Sequence, residues 1–184
     1  MDNGESSYRR FLDGDNEAFG EIVEAYKDSL IFFINRYVHN FAVAEELAQD
    51  VFVEILMHKR RYNFKNSLKT YIFTIGRNLA VSYIRKRSRK SEYASEFIEN
   101  EQDILLLEDE FIKKEQEREL HEALGRIAED YATALHLIYF EGMSYGQVGK
   151  IMKKNKKQVE NIVYRAKKAL KKEMEKEDGV NEDE

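Results

Sequence analysis

Cysteine and proline are absent from the 184 residues, and only nine are glycine. Without a thiol there is no disulfide scaffold, thiolate zinc site or cysteine nucleophile. Without proline, and with few glycines, the chain lacks the turn residues that a sandwich or barrel needs at each hairpin, so an all-α fold is expected. No apolar run reaches the roughly 18 residues of a membrane span. The stretch from Met1 to Phe11 also has no apolar segment of the signal-peptide kind, so a cytoplasmic protein without membrane insertion is expected. The residues of enzyme and metal chemistry are missing too. There is no phosphate-cradling glycine loop, Glu54 and His58 stand four apart rather than three, and His121-Glu122 lacks the second histidine that a zinc motif would need. No catalytic residue, metal or cofactor is therefore expected.

What the chain has in quantity is charge: 35% of its residues are Asp, Glu, Lys or Arg, for a net charge of only -5. The signs are segregated. Residues 1–58 hold 12 acids and 4 bases, residues 59–90 hold 11 Lys/Arg and no acid, and residues 92–119 hold 11 acids and 3 bases. Residues 150–172 then hold 10 bases and 1 acid, and residues 173–184 hold 7 acids and 1 base. A solvated lysine-rich helix face would account for either basic block alone. Two such blocks, separated by an acidic one and each laid on an apolar stripe, suit two contacts with a polyanion.

Hydrophobic periodicity divides the chain into helices. From about Asn16, the residues Phe19, Ile22, Val23, Tyr26, Leu30, Phe33, Ile34 and Tyr37 keep helical steps. A second helix is expected from about Ala42 to Arg60, with Leu47, Val51, Phe52, Ile55 and Leu56 inward. Glu46, Gln49 and Asp50 lie side by side on its other face. After a break at Tyr62 to Ser67, a third helix carries Leu68, Ile72, Ile75, Leu79 and Tyr83. These make a first domain over residues 8–90. Residues 91–117 read as an acidic linker, with a helical stretch around Ile104 to Lys114. Residues 118–174 read as a second helical domain, with Leu120, Leu124 and Ile127 on one helix and Ala134, Leu135, Leu137 and Ile138 on the next, and residues 175–184 as an acidic tail. Each domain is small enough that partner binding should contribute to its order.

Two helix starts are written locally in the second domain. Ser144 with Gln147, and Asn155 with Gln158, are capping boxes. They bound a short helix from Tyr145 to Met152, a turn from Lys153 to Asn155 and a longer second helix, which is helix-turn-helix spacing. On that second helix Val159, Ile162, Val163, Ala166 and Leu170 form the buried stripe. Lys157, Asn161, Tyr164 and Lys168 are left opposite, where amide, phenol and ammonium groups can reach base edges and phosphates together. In the first basic block, aromatics interleave with the cations, as single-stranded nucleic acid requires. Phe73 and Tyr83 are assigned to the core, and Tyr62, Phe64 and Tyr71 are the candidates for bases.

These residues carry a family resemblance over about 160 positions. In the first domain it lies in Glu17-Ala-Phe19, Tyr26, Ala44-Glu-Glu-Leu-Ala-Gln-Asp-Val-Phe52, Thr70-Tyr-Ile-Phe-Thr-Ile-Gly-Arg-Asn-Leu-Ala80 and Ile84-Arg-Lys-Arg87. In the second it lies in Ala123-Leu124, Phe140-Glu-Gly-Met-Ser-Tyr145, Ile151, Val159 and Tyr164-Arg-Ala166. The chain resembles bacterial RNA polymerase sigma factors of the extracytoplasmic-function group. The resemblance implies a promoter-specificity factor that binds core RNA polymerase and directs transcription initiation at −35/−10 promoters. By resemblance, Glu46, Gln49 and Asp50 would dock on the polymerase. Lys65, Asn66, Ser67, Lys69, Tyr71, Thr74, Arg77, Asn78 and Arg85 would recognise and melt the −10 element by capturing an unstacked base. Lys156, Lys157, Gln158, Glu160, Asn161, Tyr164 and Arg165 would read the −35 duplex in the major groove. An anti-sigma factor is the further partner it suggests. Glu160 and Ile162 stand where relatives are often basic; Glu160 could accept from cytosine N4. The competing reading is an autonomous dimeric helix-turn-helix repressor, which would bind duplex half-sites without polymerase. A dimerisation domain, however, has no need of eleven uncompensated cations.

Overall fold

Helices alone, with no strand, occur among the described residues of the computed structural model, which are 4–91, 120 and 123–178. In chain order they are α1 (Glu5–Leu12), α2 (Glu17–Val38), α3 (Phe41–Met57), a 3₁₀ turn (Lys59–Arg61) and α4 (Leu68–Ser91). Residues 123–126 are also helical. Then follow α5 (Glu129–Leu135), running into a π-helical turn (His136–Phe140), α6 (Tyr145–Met152) and α7 (Lys156–Asp178). The chain divides into two compact units, one built from α1 to α4, the other carrying α5, α7 and most of α6. Among the described residues no helix is long and apolar enough to cross a membrane.

In the N-terminal unit the junctions are set by side chains and backbone hydrogen bonds. Asp15 Oδ1 accepts from the Glu17 and Ala18 N–H groups, which closes the start of α2. At the far end His39 turns into the left-handed region (φ 49°) and donates its N–H to Asn35 O. The next residue, Asn40, caps α3 by accepting from the Val43 N–H at 3.0 Å. Two residues thus reverse the chain, and α2 and α3 pack as an antiparallel pair with α4 laid against both. Their shared core is Leu30, Phe33, Ile34, Val51, Ile55, Leu68, Ile72 and Phe73, all without measurable exposure. At Gly76 a Cβ would come within 2.8 Å of Leu30 Cδ1, so α4 approaches α2 closely there and an added methyl would require Leu30 to shift.

The structure differs from the sequence expectations in several of these elements. A helix, α1, precedes the first expected one and buries Tyr8 and Phe11; at eight residues it is too short to show periodicity. The second helix ends at Met57 rather than near Arg60, because His58 leaves helical geometry and a 3₁₀ turn follows. Leu56 faces outward at 47% exposure, since α3 is apolar over more than the one face the core can cover. Tyr83 is half-buried rather than core. The helical stretch expected around Ile104 to Lys114 lies outside the described residues.

In the C-terminal unit α5 packs against α7, and Leu124, Ala134, Leu135, Leu137, Val148, Val159, Val163 and Ala166 are buried. The turn between α6 and α7 is tight: Lys153 adopts φ 57°, and the Lys154 N–H donates to Gly149 O at 2.8 Å. A Cβ on Gly149 would stand 2.6 Å from Lys154 O. Backbone cannot swing aside as a leucine methyl can, so two glycine-to-alanine changes should part company. Gly149→Ala is expected to destabilise the C-terminal unit by about 1–3 kcal/mol despite its gain in helix propensity. Gly76→Ala, where Leu30 can rotate and propensity returns about 0.8–1 kcal/mol, should stay near neutral. Hydrogen exchange of amides in each unit under increasing denaturant would measure both, and equal costs would contradict this account of the turn.

Candidate nucleic-acid interface

The loop before α4 is built on hydrogen bonds of its own. Asn63 Oδ1 accepts from the Lys65 N–H at 3.1 Å, and Ser67 Oγ accepts from the Thr70 N–H at 3.3 Å while lying 2.8 Å from Thr70 Oγ1, which caps α4. Within the first of these turns Phe64 sits at φ 59°, a region a bulky residue rarely enters. Beneath the loop Tyr62 is buried at 4% exposure and donates its hydroxyl to Asn66 O at 2.7 Å. Tyr62, expected from the sequence to face bases, is therefore a pillar of the loop. Its ring lies 4.6 Å from Phe64, 4.9 Å from Tyr8 and 5.1 Å from Tyr71 between centroids.

Around this pillar the predicted residues are distributed by the helical period. Lys65 is exposed, and Asn66, Ser67, Lys69 and Tyr71 are half-buried. Along α4, Tyr71, Thr74, Asn78 and Arg85 follow one face in steps of three, four and seven, with Asn78 and Arg85 exposed. The Thr74 hydroxyl donates to Thr70 O at 2.6 Å, so it meets a ligand with lone pairs only. Arg77 is half-buried, and its Nε has no hydrogen-bond partner among the described residues. The face offers aromatic edges, amides and cations, the groups that hold an unstacked base and its phosphates.

A second surface lies on the outer face of α3. Glu46, Gln49 and Asp50 are all exposed, and the same row continues into Val53 and Met57, exposed at 55% and 72%. Carboxylates and amide therefore share a face with uncovered apolar side chains, which is the composition of a protein-binding surface rather than of a solvated one. Sequence reasoning found the polar half and missed the apolar half. The signal was present, because Phe52, Val53, Ile55, Leu56 and Met57 are more apolar residues than one helix face can bury.

The third surface is α7. Both capping boxes form: the Ser144 N–H donates to Gln147 Oε1 at 2.8 Å, the Asn155 N–H to Gln158 Oε1 at 2.8 Å, and the Gln158 N–H to Asn155 Oδ1 at 2.9 Å. Val159, Val163 and Ala166 are buried, while Ile162 and Leu170 are half-buried. Lys156, Lys157, Gln158, Asn161, Tyr164 and Arg165 are exposed, Tyr164 at 62% with Lys168 Nζ 5.0 Å from its ring centre. Gln158 spends its carbonyl oxygen on the cap, which leaves its NH₂ group for a ligand. Glu160 is half-buried and stands 3.7 Å from Lys157 Nζ. An acid in this basic helix therefore has a cation one turn away.

Burial has a titration consequence in the aromatic cluster. Burial, and after it charge repulsion from Tyr71, pushes Tyr8 up from 10.0 to about 12, and burial with the Glu5 carboxylate pushes Tyr62 in the same direction. The folded state thus favours the neutral phenols. Their contribution is complete below pH 10 and is lost as pH rises through about 12. Stability of the N-terminal unit should fall across that window, and Tyr8→Phe should remove part of the fall, at most roughly 2 kcal/mol. Denaturant titrations at stepped alkaline pH would show it; identical slopes for both proteins would contradict it.

Comparison with known proteins gives a consistent picture. The Sigma-70 region 2 family matches residues 22–90, and the Sigma-70, region 4 family matches residues 117–170. The chain is 27% identical over 171 residues to the RNA polymerase sigma-H factor of Pseudomonas aeruginosa, covering 88% of this chain and 89% of that one. It is 25% identical over 170 residues to the ECF RNA polymerase sigma factor SigW of Bacillus subtilis, covering 88% and 91%. Among solved structures, the sigma factor RpoE in complex with the anti-sigma factor NepR from Bartonella quintana has the same fold, with a TM-score of 0.72 at 23% identity over 85% of this chain and 96% of that one. CnrH in complex with the cytosolic domain of CnrY matches with a TM-score of 0.65 at 17% identity over 100% of both chains.

Proposed function

This chain belongs to the sigma-70 family, in its extracytoplasmic-function group, and is a promoter-specificity factor for RNA polymerase; we propose the following division of its labour. The domain of residues 8–90 binds core polymerase and opens the −10 element, the acidic stretch of residues 91–117 links the domains, and the domain of residues 118–174 reads the −35 element. The protein works in the cytoplasm and catalyses no reaction of its own. The observation that carries this reading is the presence, in one chain, of two different basic surfaces. One is an aromatic loop and helix face suited to single strands. The other is a helix-turn-helix suited to a duplex groove.

Each surface has its role. The α3 face, with Glu46, Gln49 and Asp50, is the polymerase contact, and the exposed Val53 and Met57 lie in the same row. The loop residues Lys65, Asn66, Ser67 and Lys69 receive an unstacked base of the −10 element. Tyr71, Thr74, Arg77, Asn78 and Arg85 track the strand beyond it. On α7, Asn161 and Tyr164 reach base edges, and Lys156, Lys157 and Arg165 hold phosphates. Glu160 tempers Lys157 or accepts from cytosine N4, and the Gln158 amide donates. The solved complexes of RpoE with NepR and of CnrH with CnrY support an anti-sigma protein as a further partner for these surfaces.

The deciding experiment combines binding to purified bacterial core polymerase with transcription from a pool of promoter DNA. Tight binding and new start sites dependent on this protein are expected. Absence of core binding, together with specific binding to duplex DNA alone, would identify a dimeric repressor instead. Two sets of variants test the roles. Replacing Gln49 and Asp50 by Ala should weaken core binding and leave thermal unfolding unchanged, since both side chains are exposed; unaltered affinity would remove the assignment. Asn161→Ala should shift the choice between −35 sequences by about 1–3 kcal/mol. Lys157→Ala should weaken all sequences alike and reduce the salt slope by about 1. If Lys157→Ala changed sequence choice and Asn161→Ala did not, the facing of α7 would be wrong.

A further inference from the structure

The helix α1 lies before residues 22–90, the stretch matched by the region 2 family. Its inner face nevertheless reaches the loop on which −10 recognition depends. Glu5, Tyr8 and Arg9 stand three and four residues apart on one side of α1. The Tyr8 hydroxyl donates to Lys59 O at 2.8 Å, at the 3₁₀ turn where the loop begins. Glu5 Oε1 lies 3.2 Å from the Tyr62 hydroxyl, whose single proton it shares with Asn66 O. The Arg9 guanidinium carbon stands 4.2 Å above the centre of the Phe64 ring. Tyr8 also meets the Phe64 and Tyr62 rings edge-on, at centroid distances of 6.0 and 4.9 Å.

These contacts converge on the residue that most needs them. Phe64 is held at φ 59° without the freedom of a glycine, so the loop keeps this shape only if its surroundings impose it. Tyr62 supports the ring from within the loop, while Arg9 and Tyr8 close on it from outside. We propose that α1 is the positioning element for base capture, Tyr8 and Arg9 holding residues 63–67 in the backbone conformation that receives the unstacked base. The inference rests on assigning that loop to the −10 element. Neither Tyr8, which is buried, nor Arg9, which is stacked on Phe64, needs to touch the base. They act through the loop, by fixing it before the base arrives.

The test uses the full chain assembled with core polymerase and a pool of randomised single-stranded DNA, from which bound sequences are read. Wild type should select a preferred base at the captured position. Arg9→Ala should lower affinity for the preferred strand roughly 3- to 30-fold, the range of one cation–π contact, and flatten the preference. Arg9→Lys, which keeps a cation over the ring, should restore much of it. Tyr8→Phe keeps the ring and loses only the bond to Lys59 O; a smaller loss of the same kind is expected. Core affinity and binding of α7 to −35 duplex should not change. Selection by the variants identical to wild type would overturn the proposal while leaving the loop assignment intact. So would a uniform loss over all sequences on Arg9→Ala with preference unchanged, which would make Arg9 a phosphate contact. A wild-type holoenzyme that bound single strands without any base preference would overturn the loop assignment, and the proposal with it.

Discussion

Burial of one apolar stripe of α4 against α2 and α3 is the contact on which the N-terminal unit depends. Residues 59–90 carry eleven cations and no acid, so Coulomb repulsion within the segment opposes its folding and ion pairing along it is excluded. Leu68, Ile72 and Phe73, none with measurable exposure, together with the close approach at Gly76, supply the attraction instead. Each fully buried side chain of this size contributes about 1.5–3 kcal/mol, against a few tenths for a repulsive pair on a solvated helix. Apolar packing therefore outweighs the repulsion, and the cations need no acids within the helix to neutralise them.

The C-terminal unit uses the same division of labour with a different instrument. There the buried stripe of Val159, Val163 and Ala166 holds α7, while the reciprocal Asn155–Gln158 cap and the Lys154 N–H donated to Gly149 O set the angle at which it leaves α6. Cap and turn are local and involve backbone, so they orient the helix without consuming its outer face. Asn161, Tyr164 and the lysines Lys156 and Lys157 remain exposed. The Lys157–Glu160 pair is solvent-accessible and worth little in stability.

Much of the candidate site was legible because it obeys short-range rules. The helix-turn-helix could be read residue by residue, since a capping box is a pattern four residues long and its geometry follows from the side chains involved. The polar row of Glu46, Gln49 and Asp50 followed from the helical period alone. What was not legible depends on distant partners. Tyr62 looked like the other loop aromatics, and only the arrival of Tyr8, more than fifty residues earlier in the chain, makes it an interior residue. Leu56 read as core because it is apolar, yet α3 has neighbours on only one side.

By itself, then, the sequence determined the helical class, the two basic surfaces, the positions of the helix starts in the C-terminal unit and the resemblance that names the family. All of these are encoded in composition, period and spacing, which act over a few residues or sum over the chain. The tertiary structure alone decided which aromatic supports the loop and which remains at its surface, that an eight-residue helix at the beginning of the chain clasps that loop, and that the polar row on α3 continues into uncovered apolar side chains. Those outcomes turn on which surfaces meet across long separations in sequence, and burial is a property of the meeting rather than of the residue.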